Sequence, residues 1–298
     1  MESTVQKRND NLKLIAMITM LIDHLGHMRM VGDAIYTISR TIGRIAFPIF
    51  AYQIAIGFEK TSNRKRYALR LFGFGLLAQI PYIWFNPELE RNLLHFNILF
   101  LLLVGLGVLQ LFEWGEQASR RYRESQRKID IFISATYYFA TFALIALPEV
   151  VTILCLQKGI EISFEYSSYG LLMILFFYRF RRTSWKMAIA YLVLSLIGVG
   201  LTSLWVAVKY GPQLTGGDVG YFQALQNKEL LLGIMTRNQV HMSLTGVWFQ
   251  ARSFLSIPIL IFFESYRGQF QIHLNRGVGY WFYPVHIGIL VAIAAFLR

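Results

Sequence analysis

The chain has 298 residues, a net charge of +12 and a mean hydropathy of +0.44; 55% of its residues are hydrophobic and only 15% are charged. A soluble domain carries about 25% charged residues, so this deficit, together with 24 Phe, 16 Tyr and 6 Trp, excludes an ordinary soluble fold and predicts an all-α, polytopic membrane helix bundle. The positive charge falls in short clusters between apolar runs with no recognition motif beside it, which argues against nucleic acid as a partner; the lone Cys155 rules out an intrachain disulfide and gives no basis for a cysteine metal centre.

A membrane helix needs about 20 mostly apolar residues. On that length nine segments qualify, at 12–30, 42–58, 67–86, 96–113, 131–154, 167–180, 188–208, 250–264 and 278–297. They predict about nine transmembrane helices in one domain over 1–298, with an extramembrane or interfacial insertion at 209–249 that opens on the turn-rich "YGPQLTGGDVGYFQAL". No small-x-small cleavage site follows the first run, which is expected to stay as the first helix. Basic residues cluster around Lys7–Lys13, Lys60–Arg70, Arg120–Lys128, Arg179–Lys186 and Arg267–Arg276, and these segments hold 19 of the 29 Lys and Arg residues. Such a bias predicts an integral protein of the inner or cell membrane with its N-terminus in the cytoplasm.

A charged side chain at the bilayer centre costs about 2.5–3.5 kcal/mol, so polar groups inside the spans mark candidate function. The first span contains "MITMLIDHLGHMRM". His24 lies about 18 Å along it at 1.5 Å per residue, and His27 follows one turn later, so Asp23, His24 and His27 share a broad polar face. Asp23 and His24 are adjacent and point apart, so His24 is not simply held by its neighbour. Arg44 stands at the start of the second span, where it can pair with Asp23; the competing reading is an arginine reaching to lipid headgroups. Pro48 is expected to bend the second helix. Gln79, Pro81 and Tyr82 close the third span, and His95, read as interfacial, and Asn97 open the fourth. The last span holds "YWFYPVHIGIL". There His286 sits about 12 Å above the helix start, within about 6 Å of the depth of His24, and Pro284 frees the carbonyl of Tyr280.

The blocks "LKLIAMITMLIDHLGHM", "GRIAFPIFAYQIAIGFEKTSNRKRYALRLFGFGLLAQIPY", "FNILFLLLVGLGVL", "SYGLLMILFFYRF" and "RGVGYWFYPVHIGIL" resemble, in order and over nearly the whole chain, the TraX family. The resemblance implies an integral-membrane acyltransferase, related to the wider transmembrane acyltransferases, that uses acyl-CoA, most simply acetyl-CoA. Its acceptor would lie at or across the membrane: the N-terminal amine of a pilin, as TraX-type proteins suggest, or a glycan. The family's first-helix motif maps onto Asp23 and His24, its second-helix motif onto Arg44 and Pro48, and its last-helix motif onto Tyr283, Pro284 and His286. The chain departs from the family pattern in the long 209–249 segment and in an unremarkable "FEYSS" before Gly170.

Acyl transfer from a thioester needs a deprotonated nucleophile and stabilisation of an oxyanion. His24 is the expected general base, with a side chain that titrates near neutral pH. Asp23 would steady an imidazolium, that of His27 or His286 more naturally than that of His24, and Arg44 or Asn97 would polarise the thioester carbonyl. Arg64, Lys65, Arg66 and Arg70 are the candidate ligands of the CoA phosphates, competing with a plain positive loop. Gln79, Tyr82, Asn97 and Tyr283 complete the candidate binding residues, and no metal is expected. A transporter would share the same polar, proline-containing spans. A non-enzymatic assembly factor for a pilus or secretion system would tolerate loss of His24 and His286.

Overall fold

The computed structural model describes residues 10–28, 32–86, 92–156, 158–181, 183–198, 252–265, 272–275 and 277–297; the predicted insertion at 209–249 lies outside them. Ten helices are described: α1 (Asp10–His27), α2 (Asp33–Gly43), α3 (Ala46–Lys60), α4 (Arg64–Phe85), α5 (Ile98–Ser125), α6 (Lys128–Leu156), α7 (Ser167–Phe180), α8 (Ser184–Gly198), α9 (Ser256–Ser265) and α10 (Val278–Phe296). Each of the nine predicted segments overlaps one of them, the stretches 29–30, 199–208 and 250–251 lying outside the described residues, and α7 matches its prediction at both ends. Among the described residues, five stretches are long and apolar enough to cross a membrane: Ala34–Lys60, Arg64–Phe85, Ile98–Ser125, Lys128–Leu156 and Val278–Phe296. The chain is thus an all-α membrane-type bundle. Helix α1, which carries Asp10, Lys13 and Asp23, is not one of the five.

The structure departs from the sequence reading at several points. The expected bend at Pro48 is instead a break before it: α2 ends at Gly43, Arg44 and Ile45 form a turn, and α3 starts at Ala46. Proline at 48 cannot donate to the carbonyl of Arg44 and its ring crowds that carbonyl, so it is accommodated only in the first turn of a new helix. The segment 33–43, most of which falls outside the predicted spans, is helical, with Tyr36 and Ser39 turned inward and Ile35 and Ile38 facing out. The fourth span also runs on to Ser125, so Arg120–Arg123 ride on a helix rather than in a loop. There the left-handed C-cap Gln126 closes it by donating to the Tyr122 carbonyl.

Helices α3 and α7 form the centre. Ile49, Ala51, Tyr52, Ala55 and Phe58 of α3 and Leu171, Met173, Ile174 and Phe177 of α7 are almost fully buried, and they pack against Leu101, Val108 and Leu109 of α5. The outer helices present Leu69, Trp84, Phe132 and Phe139 outward, as side chains facing lipid would. Helices α2 and α3 run back along α1: a Cβ at Gly26 would fall on Ser39, and one at Gly43 would fall on the Asp23 carboxyl group. A short parallel ladder of β1 (His95–Phe96) and β2 (Ser163–Phe164) ties the start of α5 to the start of α7, so the backbone N–H of Glu165 donates to Phe96 O at 3.2 Å.

Candidate functional site

The end of the bundle where α1 finishes gathers most of the candidate residues. His24 faces α10 and α4. Its Nδ1 lies 2.7 Å from Nε2 of His286, with the two rings within 5° of parallel, and Phe85 of α4 tilts over it at 5.1 Å. His286 in turn places Nδ1 2.6 Å from the carbonyl of Phe282, one turn back in its own helix. A carbonyl only accepts, so His286 Nδ1 carries the hydrogen. With both rings neutral, His286 Nε2 is then an acceptor, His24 Nδ1 donates to it, and the lone pair of the pair resides on His24 Nε2. The tautomers follow from a single backbone carbonyl.

Asp23 looks the other way, across α1 to α2. Arg40 Nη1 donates to its Oδ2 at 2.8 Å, and Arg44 Nη2 stands 4.0 Å from Oδ1. The approach is possible because position 43 is glycine. Arg44, 8% exposed, also donates to the Tyr166 hydroxyl at 3.2 Å. The anticipated Asp23–Arg44 pairing therefore exists, but the shorter contact is to Arg40, which the sequence reading passed over. Its signal was its spacing: Arg40 and Arg44 stand four apart in "SRTIGR", and α2 followed by a turn leaves both on the side of Asp23.

Glu165 and Tyr166, from the "FEYSS" read as unremarkable, belong to the same cluster. The β1–β2 ladder delivers Glu165 to the N-terminus of α5, where the Ile98 N–H supports its carboxylate and Arg44 lies near it; burial outweighs both and pushes the carboxyl up to about 7. Its Oε2 is sealed from solvent with no hydrogen-bond donor. Tyr166 and Ser167 both have positive φ, 60° and 42°. Backbone of this kind costs about 1–3 kcal/mol per residue and persists where the surroundings over-determine it; here Tyr166 is clamped between Arg44 and the ring of Phe47, stacked at 3.9 Å. Tyr283 of α10 also reaches the Ile98 amide and meets the His286 ring edge-on at 5.9 Å.

A family model described as "TraX protein" matches residues 8–294. The chain belongs to the TraX family. A further likeness is to a probable fimbrial assembly protein FimC, serogroup H1, of Dichelobacter nodosus, 32% identical over 108 residues, which are 34% of this chain and 44% of that relative. The chain therefore aligns with less than half of that relative's length. No solved structure matches the chain. Asp23, His24, Arg44, Tyr283 and His286, scattered over the sequence, stand at one end of this TraX bundle.

The other expected residues have different surroundings. Asn97 caps α5 by accepting from Leu99 N, and its Nδ2 donates to Gly75 O and Gln79 Oε1 at 2.8 and 2.7 Å. Gln79 Nε2 in turn holds His95 O at 2.7 Å. Both amides thus hold the α4–α5 turn and leave no donor for a thioester carbonyl, which corrects the role expected of Asn97. His95, expected at an interface, is buried and hydrogen-bonds Ser163 across the ladder. Arg64 forms a two-pronged pair with Glu113, donates to Gln110 at 2.8 Å and lies over the Phe58 ring at 3.9 Å, so its guanidinium is already occupied. Lys65, Arg66 and Arg70 are exposed on the same end of α4. Tyr82 and His27 are partly buried near the site, with Phe85 5.3 Å from the His27 ring. Among the described residues no group of three His, Cys, Asp or Glu side chains is placed to hold a metal ion.

Proposed function

We propose that this TraX-family chain is a membrane acyltransferase that moves an acetyl group from acetyl-CoA to an acceptor, a pilin amine or a glycan, at or across the membrane, with its N-terminus in the cytoplasm. The observation that carries this reading is the Phe282 carbonyl–His286–His24 chain, which leaves a basic nitrogen, His24 Nε2, without a protein partner among the described residues. In the proposed reaction the acceptor's nitrogen or oxygen attacks the thioester carbon while His24 Nε2 takes its proton. The electron pair on the carbonyl oxygen is met by the Arg40–Arg44 charge, and collapse breaks the C–S bond as His24 returns the proton to the departing sulfur. Lys65, Arg66 and Arg70 would hold the CoA phosphates at the opposite end. From Arg70 to Phe85, which covers His24, is about 22 Å of helix, so the donor would thread along the bundle as an extended chain.

The test is thioester turnover by purified protein. Wild type should release free CoA thiol from acetyl-CoA and acetylate a permissive amine, and His24→Ala, matched for monodispersity, should not. Equal turnover in both would move the base elsewhere. Solute uptake without acetyl-CoA dependence would favour a transporter. The name of the fimbrial relative favours one second reading, a structural role in pilus assembly. In that case a His24→Ala, His286→Ala double variant would still support piliation.

A further inference from the structure

The base and the arginines account for His24, His286, Arg44 and Asp23, but not for Glu165. This carboxylate comes from a stretch between β2 and α7, is aimed by the ladder and by two strained residues, and ends in a sealed oxygen without a donor. Among the described residues, the groups that act on it are Asp23 on α1; Arg40 on α2; Arg44 in the following turn; the Ile98 amide of α5; Tyr166 ahead of α7; and Tyr283 of α10. Asp23 is already paired with Arg40. Among the described residues, Glu165 is the second acid that acts on Arg44.

We propose that Glu165 is a positioning residue that acts through Arg44: ionised, it neutralises the Arg44 guanidinium; protonated, it leaves that charge facing the reacting group. The charge count supports this. Among the described residues and with imidazoles neutral, Asp23 and Glu165 against Arg40 and Arg44 sum to zero when Glu165 is ionised, which weakens the pull of the two guanidinium groups on a developing oxyanion. One proton taken from water onto Glu165 makes the cluster singly positive; the oxyanion is balanced overall by the proton on His24 Nε2, and the uncompensated guanidinium adds a local attraction to it. Burial holds the Glu165 carboxyl up to about 7, so the two forms exchange near physiological pH. No bond to the acyl group is involved; the only transfer is that proton.

The inference rests on the acyltransferase reading, and its test separates the two. In purified protein, the wild-type rate should fall about tenfold per pH unit above a midpoint near 7, as expected for a single required proton. Glu165→Gln, a permanent neutral mimic, should turn over without that alkaline limb. Persistence of the limb in Glu165→Gln, or complete loss of turnover in a well-folded Glu165→Gln protein, overturns the proposal. Should Glu165→Gln fail to fold, Glu165→Asp keeps a titrating carboxyl at a different distance from Arg44, and an unmoved midpoint there overturns the proposal equally. A second readout needs no substrate. A carboxyl raised in the folded state stabilises below its unfolded value and loses that contribution as pH rises through about 7. The wild-type melting temperature, measured relative to Glu165→Gln, should therefore drop across that window, and a difference that does not vary with pH overturns the Glu165 assignment. Absence of thioester turnover in wild type at every pH sinks the acyltransferase reading instead, and the melting comparison still stands.

Discussion

The two ends of the bundle use the same residue types in opposite ways. At the end where α3 finishes, two arginines each have their own acid: Arg64 grips Glu113 with both prongs, and Arg181, whose side chain is 4% exposed, pairs with Glu59 and donates to Tyr178 O at 2.7 Å. These closed pairs cross-link α4 to α5 and α3 to the end of α7. At the His24 end, two arginines share two carboxylates, Asp23 Oδ1 and Glu165 Oε2 lack hydrogen-bond donors, and an imidazole pair stands beside them. Saturated charge pairs behave as clamps, whereas unsaturated ones leave capacity for a ligand or a transition state.

Substitutions can break or sharpen that contrast. The largest effect is expected at the open end. His24→Ala should lower kcat by about 10²–10⁴-fold, the worth of a general base, with acetyl-CoA binding intact. His286→Ala should cost about 10²-fold, because the tautomer anchor goes while the base stays. A kcat for His286→Ala as low as for His24→Ala would mean the two imidazoles act as one unit. Gly43→Ala comes next: a Cβ there meets the Asp23 carboxyl, and overpacking costs about 1–3 kcal/mol. It should lower both melting temperature and kcat, since α2 carries Arg40 away from Asp23; unchanged kcat would show that the Asp23–Arg40 contact is dispensable.

At the closed end the readout changes. Glu59→Gln leaves buried Arg181 without its acid and should cost about 2 kcal/mol of stability, less than the 3–5 of a fully buried pair because Glu59 is partly exposed. Thermal melting should record that loss with kcat unchanged. The smallest effect is expected at the exposed cations. Lys65→Ala should raise the KM for acetyl-CoA about threefold without moving kcat, the pattern of lost uniform binding. Arg64→Ala should act mainly on stability, because its guanidinium already serves Glu113; a rise in KM alone would show that the pair opens to receive the donor.

The individual residues differ in how visible they were. His24 and His286 stood out because imidazoles in apolar segments are costly, and equal depth could be counted at a fixed rise per residue. Arg40 escaped because α2, with 11 residues, is too short and too polar to read as a membrane span. Glu165 escaped because nothing local marks it. It becomes a site residue only through the pairing of β1 with β2, a contact between positions almost seventy residues apart, and two-residue strands leave no periodic trace. Asn97 was conspicuous for its polarity, but capping gives a buried amide enough partners to explain it.

The sequence by itself determined the helical membrane class, the position of each main helix and the short list of intramembrane polar groups, because hydrophobic length and the cost of burying polar atoms act locally. Only the tertiary structure decided which of those groups touch. Asp23 meets Arg40 because Gly43 lets α2 approach α1. His24 became the terminal base because a Phe282 carbonyl fixes the hydrogen on His286. Glu165 entered the cluster because a parallel ladder delivers it to the start of α5. Each of these depends on distances between helices, and the spacing of residues along one chain does not encode them.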